Sequence, residues 1–209
     1  MDQPVILYLH GFTSGPQSHK AQALGLRMQQ RGWGEGIICP QLLASPTASI
    51  ALAESLIAQK VGTSITAKAG ARSGAAGANL TIVGSSLGGY YATWLAEKYD
   101  CRAVLVNPAV ASSVSLEKYI GPQRWLYRDD TFEFTRQHID ELAALSLPQL
   151  AHPERFWVLL EEGDETLDYR HAVARYAGSR QTVLAGGDHS FTRWDDYLDE
   201  ILRYAGFGV

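Results

Sequence analysis

The sequence has few residues of the kinds that bind metals, nucleotides or nucleic acids. It contains two cysteines among 209 residues, and it has no C-x-x-C pair, H-E-x-x-H pattern or G-x-x-x-x-G-K-[ST] loop. No metal or cofactor site is therefore indicated. Lysine and arginine number 18 against 22 aspartates and glutamates, which gives a net charge of −4. Because there is no basic excess to neutralise phosphates, we expect no nucleic-acid partner and no anionic membrane surface as partner.

Long apolar runs are also absent. No stretch approaches the roughly 18 apolar residues of a membrane span, and the first apolar run, residues 5–9, is too short for a signal-peptide core and lacks a basic flank. We therefore expect a cytoplasmic protein without a membrane span. The cysteines, Cys39 and Cys101, lie in or beside apolar runs, so we expect buried free thiols rather than a disulfide.

Short apolar runs alternate with helical patterns along the chain. Strands are predicted at 5–9, 37–39, 80–83, 103–106, 156–160 and 181–184, and helices at about 17–31, 48–61, 87–99, 168–177 and 191–205. Strands that are apolar throughout are typical of a sheet covered on both faces. The alternation indicates a mostly parallel six-stranded sheet flanked by helices in a single α/β domain over residues 1–209. In such sheets ligands bind at the carboxyl ends of the strands.

Two segments break this alternation. Residues 62–78 are mostly Gly, Ala, Ser and Thr, a composition that buries little apolar surface, so we predict a flexible surface loop. The segment of about 112–150 contains five aromatic residues and a helical pattern near 137–145, and it is too long for a simple crossover. We favour a small helical cap over the carboxyl edge of the sheet, with an elaborate helical crossover as the alternative.

A G-x-S-x-G pattern, Gly84 to Gly88, directly follows one predicted strand and opens a predicted helix. A serine hydroxyl is a weak nucleophile unless a base and backbone N–H donors surround it. A sharp strand-to-helix turn exposes Ser86, and the glycines at 84 and 88 let strand and helix pass closely. The Leu87 N–H then lies at a helix N-terminus, where it can stabilise an oxyanion.

The partners of this serine are sought at the other carboxyl strand ends. Of six histidines, His189 follows a predicted strand through a loop of small residues, whereas the others, apart from His10, lie in predicted helices or beside a proline. Asp164 follows another predicted strand through Gly163 and can orient the imidazole. The order Ser86, Asp164, His189 is the chain order of the α/β-hydrolases.

Other carboxylates and polar residues have competing interpretations. Asp188 adjoins His189, and neighbouring side chains project apart, so it is not favoured as the acid. Three weaker alternatives remain, Glu161, Glu162 and Asp168, of which Asp168 is expected to cap a helix. We expect His10 to be a buried, hydrogen-bonded structural residue and Asn107, which precedes a proline, to form a turn.

A second oxyanion donor is expected in the loop after the first strand, where Gly11 permits a turn that aims the Phe12 N–H inward. The stretches that carry all of these features are LYLHGFTSGPQSHKA (7–21), PQL (40–42), IVGSSLGGYYATWLAEKY (82–99), VNPAV (106–110), GDETLDYRHAVARYA (163–177) and RQTVLAGGDHSFTRWDDY (180–197). They resemble the YqiA-type esterases, a family of small bacterial α/β-hydrolases. The resemblance implies an α/β-hydrolase fold and activity on acyl esters or acyl thioesters, with Ser86 as nucleophile, Asp164 as acid and His189 as base.

Three functions remain open from the sequence. The first is a serine esterase that acts on small-molecule esters with short to medium acyl chains, in which cap aromatics such as Trp125 and Phe132 bind the acyl group. The second is an acyl-CoA thioesterase, which needs a cationic patch at the mouth of the site for the phosphates. Four arginines could supply that patch: Arg124, Arg128, Arg136 and Arg193. The third is a binding protein with a hydrolase fold and no activity, because fold does not fix function.

Overall fold

Strands and helices alternate along the chain as the sequence predicts. The computed structural model describes residues 3–61, 79–110 and 116–208. The strands in these ranges are β1 (Val5–Leu9), β2 (Ile37–Ile38), β3 (Leu80–Ser85), β4 (Arg102–Val106), β5 (Gly121–Arg124), β6 (Thr131–Phe134), β7 (Phe156–Glu161) and β8 (Arg180–Leu184). The α-helices are α1 (His19–Gln30), α2 (Pro46–Val61), α3 (Leu87–Tyr99), α4 (Arg136–Ala144), α5 (Tyr169–Arg175) and α6 (Leu198–Tyr204).

Six of the strands form one parallel sheet in the order β2-β1-β3-β4-β7-β8. The register aligns the carboxyl ends of the central strands, since Leu9 pairs with Gly84 and Ser85 pairs with Val106. This confirms the predicted mostly parallel six-stranded sheet with flanking helices. The predicted helix at 191–205 differs, because a 3-10 turn at Trp194–Tyr197 precedes the shorter α6.

The core consists of two apolar layers, one on each face of the sheet. Successive residues of a strand point to opposite faces, so Leu7 faces α2 and α3 while Ile6 faces α1 and α6. The same alternation places Val158 in the first layer and Trp157 in the second, and both are fully buried. Burial of both faces explains why the central strands are apolar throughout.

The segment between β4 and β7 contains more than the helix that the sequence predicts. The helical pattern near 137–145 corresponds to α4, but an antiparallel hairpin of β5 and β6 precedes that helix. Its strands have only four residues each, too few for a clear alternation of apolar and polar residues. The Leu126 N–H donates to the Thr13 carbonyl at 2.9 Å, which fixes the hairpin on the loop after β1.

The two cysteines do not form a disulfide. Both cysteines are free thiols, and burial raises the pKa of Cys39 and of Cys101 to about 12, so both are protonated at neutral pH. Among the described helices, none is long and apolar enough to cross a membrane. The predicted flexible loop at 62–78 and residues 111–115 lie outside the described residues.

Candidate active site

The loop between β3 and α3 holds Ser86 in a strained conformation. Its φ is 55° and its ψ is −120°, a region that residues with a Cβ rarely adopt. Glycines two residues away on either side permit this turn. A Cβ on Gly84 would lie 2.3 Å from the Gly88 carbonyl oxygen, and one on Gly88 would lie 2.0 Å from the Leu9 carbonyl oxygen. No larger residue fits at either position, so β1, β3 and α3 can approach closely enough to expose the serine.

Two residues from distant parts of the chain meet at this serine. His189 Nε2 lies 3.0 Å from Ser86 Oγ, and its Nδ1 lies 2.8 Å from Asp164 Oδ2 and 3.0 Å from Oδ1. The carboxylate also accepts the N–H groups of Thr166 and Leu167, each at 2.8 Å, and is only 2% exposed. An ionised carboxylate accepts hydrogen bonds only, so Nδ1 carries the imidazole proton and the Nε2 lone pair faces the serine hydroxyl.

The alternative carboxylates have other partners. Asp188 accepts the Ser190 N–H at 2.8 Å together with its hydroxyl, and Glu162 accepts the Tyr169 hydroxyl. Asp168 caps α5 by accepting the Arg170 N–H at 3.0 Å. None of these carboxylates is hydrogen bonded to the imidazole of His189.

Glu161, the last residue of β7, holds the loop that carries His189. Its fully buried carboxylate accepts the N–H of Asp188 at 2.9 Å, the N–H and hydroxyl of Thr192 at 3.0 and 2.9 Å, and the N–H of Arg193 at 3.3 Å. Burial alone would raise the pKa of Glu161, but these four hydrogen bonds outweigh it and lower the pKa. From the sequence, Glu161 is only a weak alternative for the acid. The groups that donate to its carboxylate lie 27 or more residues away along the chain, so no local pattern indicates its role.

Asn107 extends this network from the end of β4. Its side-chain amide donates to the carbonyls of Asp188 and His189 at 3.0 and 3.2 Å, and its Oδ1 accepts the Glu161 N–H at 3.0 Å. The residue is buried with a φ of 40°, which asparagine tolerates better than most residues. It therefore joins β4, β7 and the His189 loop, a larger role than the turn that the sequence predicts. Its position at a carboxyl strand end is the signal that could have indicated this.

The two N–H groups expected to face an oxyanion border the same space. Leu87 is the first residue of α3, and neither its N–H nor that of Phe12 donates to another group in the described part of the chain. Gly11 approaches the serine so closely that a Cβ there would lie 3.3 Å from Ser86 Cβ. His10 is buried and accepts the Leu42 N–H at 3.0 Å; burial lowers its pKa, so it is a neutral structural residue.

A cavity of about 480 Å³ opens at Ser86, Leu87, Phe12 and His189. The segment after β4 contributes six residues to its wall: Ala109, Leu116, Lys118, Tyr119, Gln123 and Leu126. Residues of this segment therefore border the cavity beside the serine.

Trp125 and Phe132 do not line this cavity, contrary to their predicted position. The Trp125 ring stacks on Phe132 with centroids 4.4 Å apart, and Phe132 packs edge-on against Phe12 at 6.0 Å. They border a separate space of about 20 Å³ behind Phe12. Both rings are turned inward because the hairpin needs an apolar core against the β1 loop. The structure therefore places both rings in the apolar core of the hairpin, and their role in substrate binding stays a prediction.

The sheet order, the turn at Ser86 and the crossover helices define a protein of the α/β-hydrolase fold. Solved structures with this fold are similar over nearly the whole chain. A metagenome-derived lipolytic enzyme from a study of LipS and LipT is 14% identical, with a TM-score of 0.65 over 98% of this chain and 94% of that one. Est1E from Butyrivibrio proteoclasticus is 12% identical, with a TM-score of 0.62 over 98% and 88%. Alpha/beta hydrolase domain-containing protein 10 from mouse is 15% identical, with a TM-score of 0.61 over 97% and 90%.

The sequence identifies the family within this fold. Residues 5–206 match the model of the family described as "Uncharacterised protein family (UPF0227)", so the chain belongs to that family. The family contains the YqiA-type esterases, which confirms the resemblance found in the sequence.

Proposed function

We propose that the protein is a serine esterase that hydrolyses small esters with short to medium acyl chains. The observation that carries this proposal is the relay from Asp164 through His189 to Ser86, with contacts of 2.8 and 3.0 Å at the two imidazole nitrogens. A serine on a strained turn, a base in the correct tautomer and a buried carboxylate are the three groups that acyl transfer requires.

The reaction proceeds in two steps through an acyl-enzyme. Ser86 Oγ attacks the ester carbonyl carbon while His189 Nε2 accepts the hydroxyl proton. The Phe12 and Leu87 N–H groups stabilise the resulting oxyanion. The C–O bond to the alcohol then breaks, and His189 returns the proton to the leaving alkoxide. Water, deprotonated by His189, attacks the acyl-enzyme and releases the acid and free Ser86. Asp164 stabilises the imidazolium in both steps, and no cofactor is required.

The cavity supports a preference for small substrates. At about 480 Å³ it is within the usual range for sites that bind small molecules. Its wall beside the serine includes Leu87, Ala109 and Leu116, an apolar surface against which each buried acyl CH₂ contributes about 0.8 kcal/mol. We therefore expect kcat/KM to rise with chain length over the first few carbons and to fall once the chain exceeds the cavity.

The acyl-CoA alternative has less support, because acidic residues or a carbonyl hold the arginines that would contact the phosphates. Arg124 pairs with Asp129, Arg128 with Asp130 and Arg136 with Glu117. Arg193 contacts Glu161 and the Ala185 carbonyl instead. The binding-protein alternative has less support because the serine, its base and its acid are in mutual contact.

Covalent labelling tests the proposal directly. A fluorophosphonate probe should label the wild-type protein at Ser86, since only an activated serine reacts quickly. Ser86→Ala should be unlabelled and should lose a factor on the order of 10⁴ or more in kcat on p-nitrophenyl esters. A folded Ser86→Ala variant that keeps a tenth of the activity would contradict the assignment. Parallel p-nitrophenyl and CoA series of increasing acyl length distinguish esterase from thioesterase.

A further inference from the structure

One wall of the cavity carries polar groups that the proposed reaction does not use. Tyr8, Ser18, Lys20 and Ser85 border the same cavity as Ser86, and we refer to these four as the polar corner. Tyr8 belongs to β1 and is only 1% exposed, and Lys20 belongs to the first turn of α1. Burial raises the pKa of the Tyr8 phenol, which the neighbouring hydroxyls of Ser85 and Ser18 partly oppose. A neutral acyl chain would offer these groups no hydrogen-bond partner.

Ser18 is the clearest sign that the polar corner binds something. Its Oγ is buried beside the Tyr8 phenol, yet it makes no hydrogen bond of regular geometry to any residue that the structure describes. Ser18 directly precedes α1, yet its side chain does not cap that helix. A buried hydroxyl without a partner is unfavourable. A polar group of a ligand in the cavity would supply the missing partner.

Lys20 adds a positive charge to the wall of the same cavity. Its ammonium donates to the Ser190 carbonyl at 2.5 Å, which uses one of three N–H donors. In the described ranges no carboxylate lies within 4.0 Å of it. Burial lowers the pKa of Lys20, and three carboxylates farther away, those of Asp188, Glu161 and Asp164, oppose this shift. Each of the three is held by other donors. The ammonium therefore keeps hydrogen-bonding capacity toward the cavity.

The charge on the cavity wall has the opposite sign to that of the whole protein. The chain carries a net charge of −4, whereas two lysines, Lys20 and Lys118, line the cavity against one acid, Glu165. The Glu165 carboxylate already accepts the His189 N–H at 3.1 Å and the Thr166 hydroxyl at 3.3 Å. A cleft whose wall carries an excess of positive charge attracts an anionic substrate.

We propose that the polar corner binds a carboxylate of the substrate through Lys20 and the Ser18 hydroxyl, so that the preferred substrates are esters that carry a negative charge. This inference rests on the proposed esterase activity and narrows its substrate class. A charge-assisted hydrogen bond from the ammonium and a second bond from the hydroxyl fit the two oxygens of one carboxylate.

Matched pairs of esters test the inference. On the acyl side, mono-p-nitrophenyl adipate is compared with the neutral ester in which an isopropyl group replaces its carboxylate. On the alcohol side, p-carboxyphenyl butyrate is compared with p-methylphenyl butyrate. The measured quantity is the ratio of kcat/KM for the anionic to the neutral member, corrected for spontaneous hydrolysis. Wild type should favour the anionic member of at least one pair, and Lys20→Gln should lower that ratio about tenfold.

Three further variants separate binding from structural support. Lys20→Arg keeps the charge and should keep most of the preference. Ser18→Ala should lower the ratio severalfold with little loss of stability, since the hydroxyl makes no hydrogen bond of regular geometry within the described ranges. This variant carries the test if Lys20→Gln fails to fold. Lys60→Gln removes a lysine whose ammonium lies 3.8 Å from Glu35 on the surface and should leave the ratio unchanged.

The outcomes distinguish this inference from the proposed function. No hydrolysis of any ester would contradict the esterase itself. Hydrolysis without anionic preference in either pair would leave the esterase intact and overturn the role of the polar corner. Equal losses on both members of a pair in Lys20→Gln would also overturn it, because Lys20 would then act only through its bond to Ser190, next to His189.

Discussion

Replacing Glu161 with glutamine tests whether this buried carboxylate holds the base of the site in place. Glutamine has nearly the same shape but can accept with only one of its two terminal atoms. In one orientation of the glutamine side chain, the amide nitrogen would face the N–H groups of Asp188 and Thr192, which the carboxylate now accepts. In the other orientation, it would face the Thr192 hydroxyl and the Arg193 N–H. Because the Thr192 hydroxyl can turn and accept from the amide, at least one buried N–H donor loses its partner, and the remaining donors bond to a neutral acceptor instead of a carboxylate.

The magnitude follows from the number of bonds. A buried donor left unsatisfied costs about 1–3 kcal/mol, and hydrogen bonds to a charged acceptor are worth about 1.5–3 kcal/mol each. One or two unsatisfied donors, together with the loss of the charged acceptor, predict a decrease of about 2–5 kcal/mol in the free energy of unfolding of Glu161→Gln. Glu162→Gln is the matched control, because Glu162 is exposed and should change stability by less than about 0.5 kcal/mol.

The pH dependence of the stability difference between wild type and Glu161→Gln is a second measurement. Folding lowers the pKa of Glu161 below its ordinary value of 4.5, so the ionised carboxylate stabilises the native state above that value. This stabilisation is lost as the pH falls through the lowered pKa. The difference in unfolding free energy between wild type and Glu161→Gln should therefore shrink as the pH is taken below 4.5. Urea denaturation at several pH values measures both quantities.

Activity is the third readout. A displacement of about 1 Å in a catalytic group can cost on the order of a hundredfold, so folded Glu161→Gln should lose kcat on a p-nitrophenyl ester with a smaller change in KM. An unfolding free energy within about 1 kcal/mol of wild type, or unchanged kcat, would refute the claim that this carboxylate positions His189.

Three further predictions concern the site and its support. Asp164→Asn should lower kcat by a factor of about 10³–10⁴ by disturbing the imidazole tautomer, and Asp188→Asn should lower it far less. A reversed ranking in the same assay would mean that Asp164 is not the carboxylate that orients His189. Gly88→Ala should unfold at a lower urea concentration than wild type, since its Cβ would lie 2.0 Å from a β1 carbonyl oxygen. Gly25→Ala in α1 is the matched control: its Cβ meets nothing within 4 Å, and it should raise the free energy of unfolding by up to about 1 kcal/mol. Equal effects of the two variants on stability would contradict this packing. Trp125→Ala should lower the melting temperature and keep the wild-type chain-length profile, and a changed profile with unchanged stability would return Trp125 to the substrate site.

The sequence alone predicts most of the sheet and the turn at Ser86, because their signals are local. An apolar run of five or six residues forms a strand wherever both faces are covered, and the bounds of all six sheet strands agree within two residues. The glycines at 84 and 88 and the serine between them specify one turn within five residues. The positions of Asp164 and His189 after strands follow from the same logic, since parallel strands bring their carboxyl ends to one edge.

Only the tertiary structure decides which groups surround those residues. Glu161 and Asp188 both lie at or just after the carboxyl end of a strand. Glu161 is nevertheless fully buried and accepts four hydrogen bonds, whereas Asp188 accepts the N–H and hydroxyl of Ser190. The Trp125 ring faces Phe132 instead of the cavity, because the hairpin that carries it turns inward. The burial of the Ser18 hydroxyl beside the Tyr8 phenol likewise depends on the packing of α1 against the sheet. Burial and hydrogen bonding depend on contacts between distant segments, and no local pattern of residues contains that information.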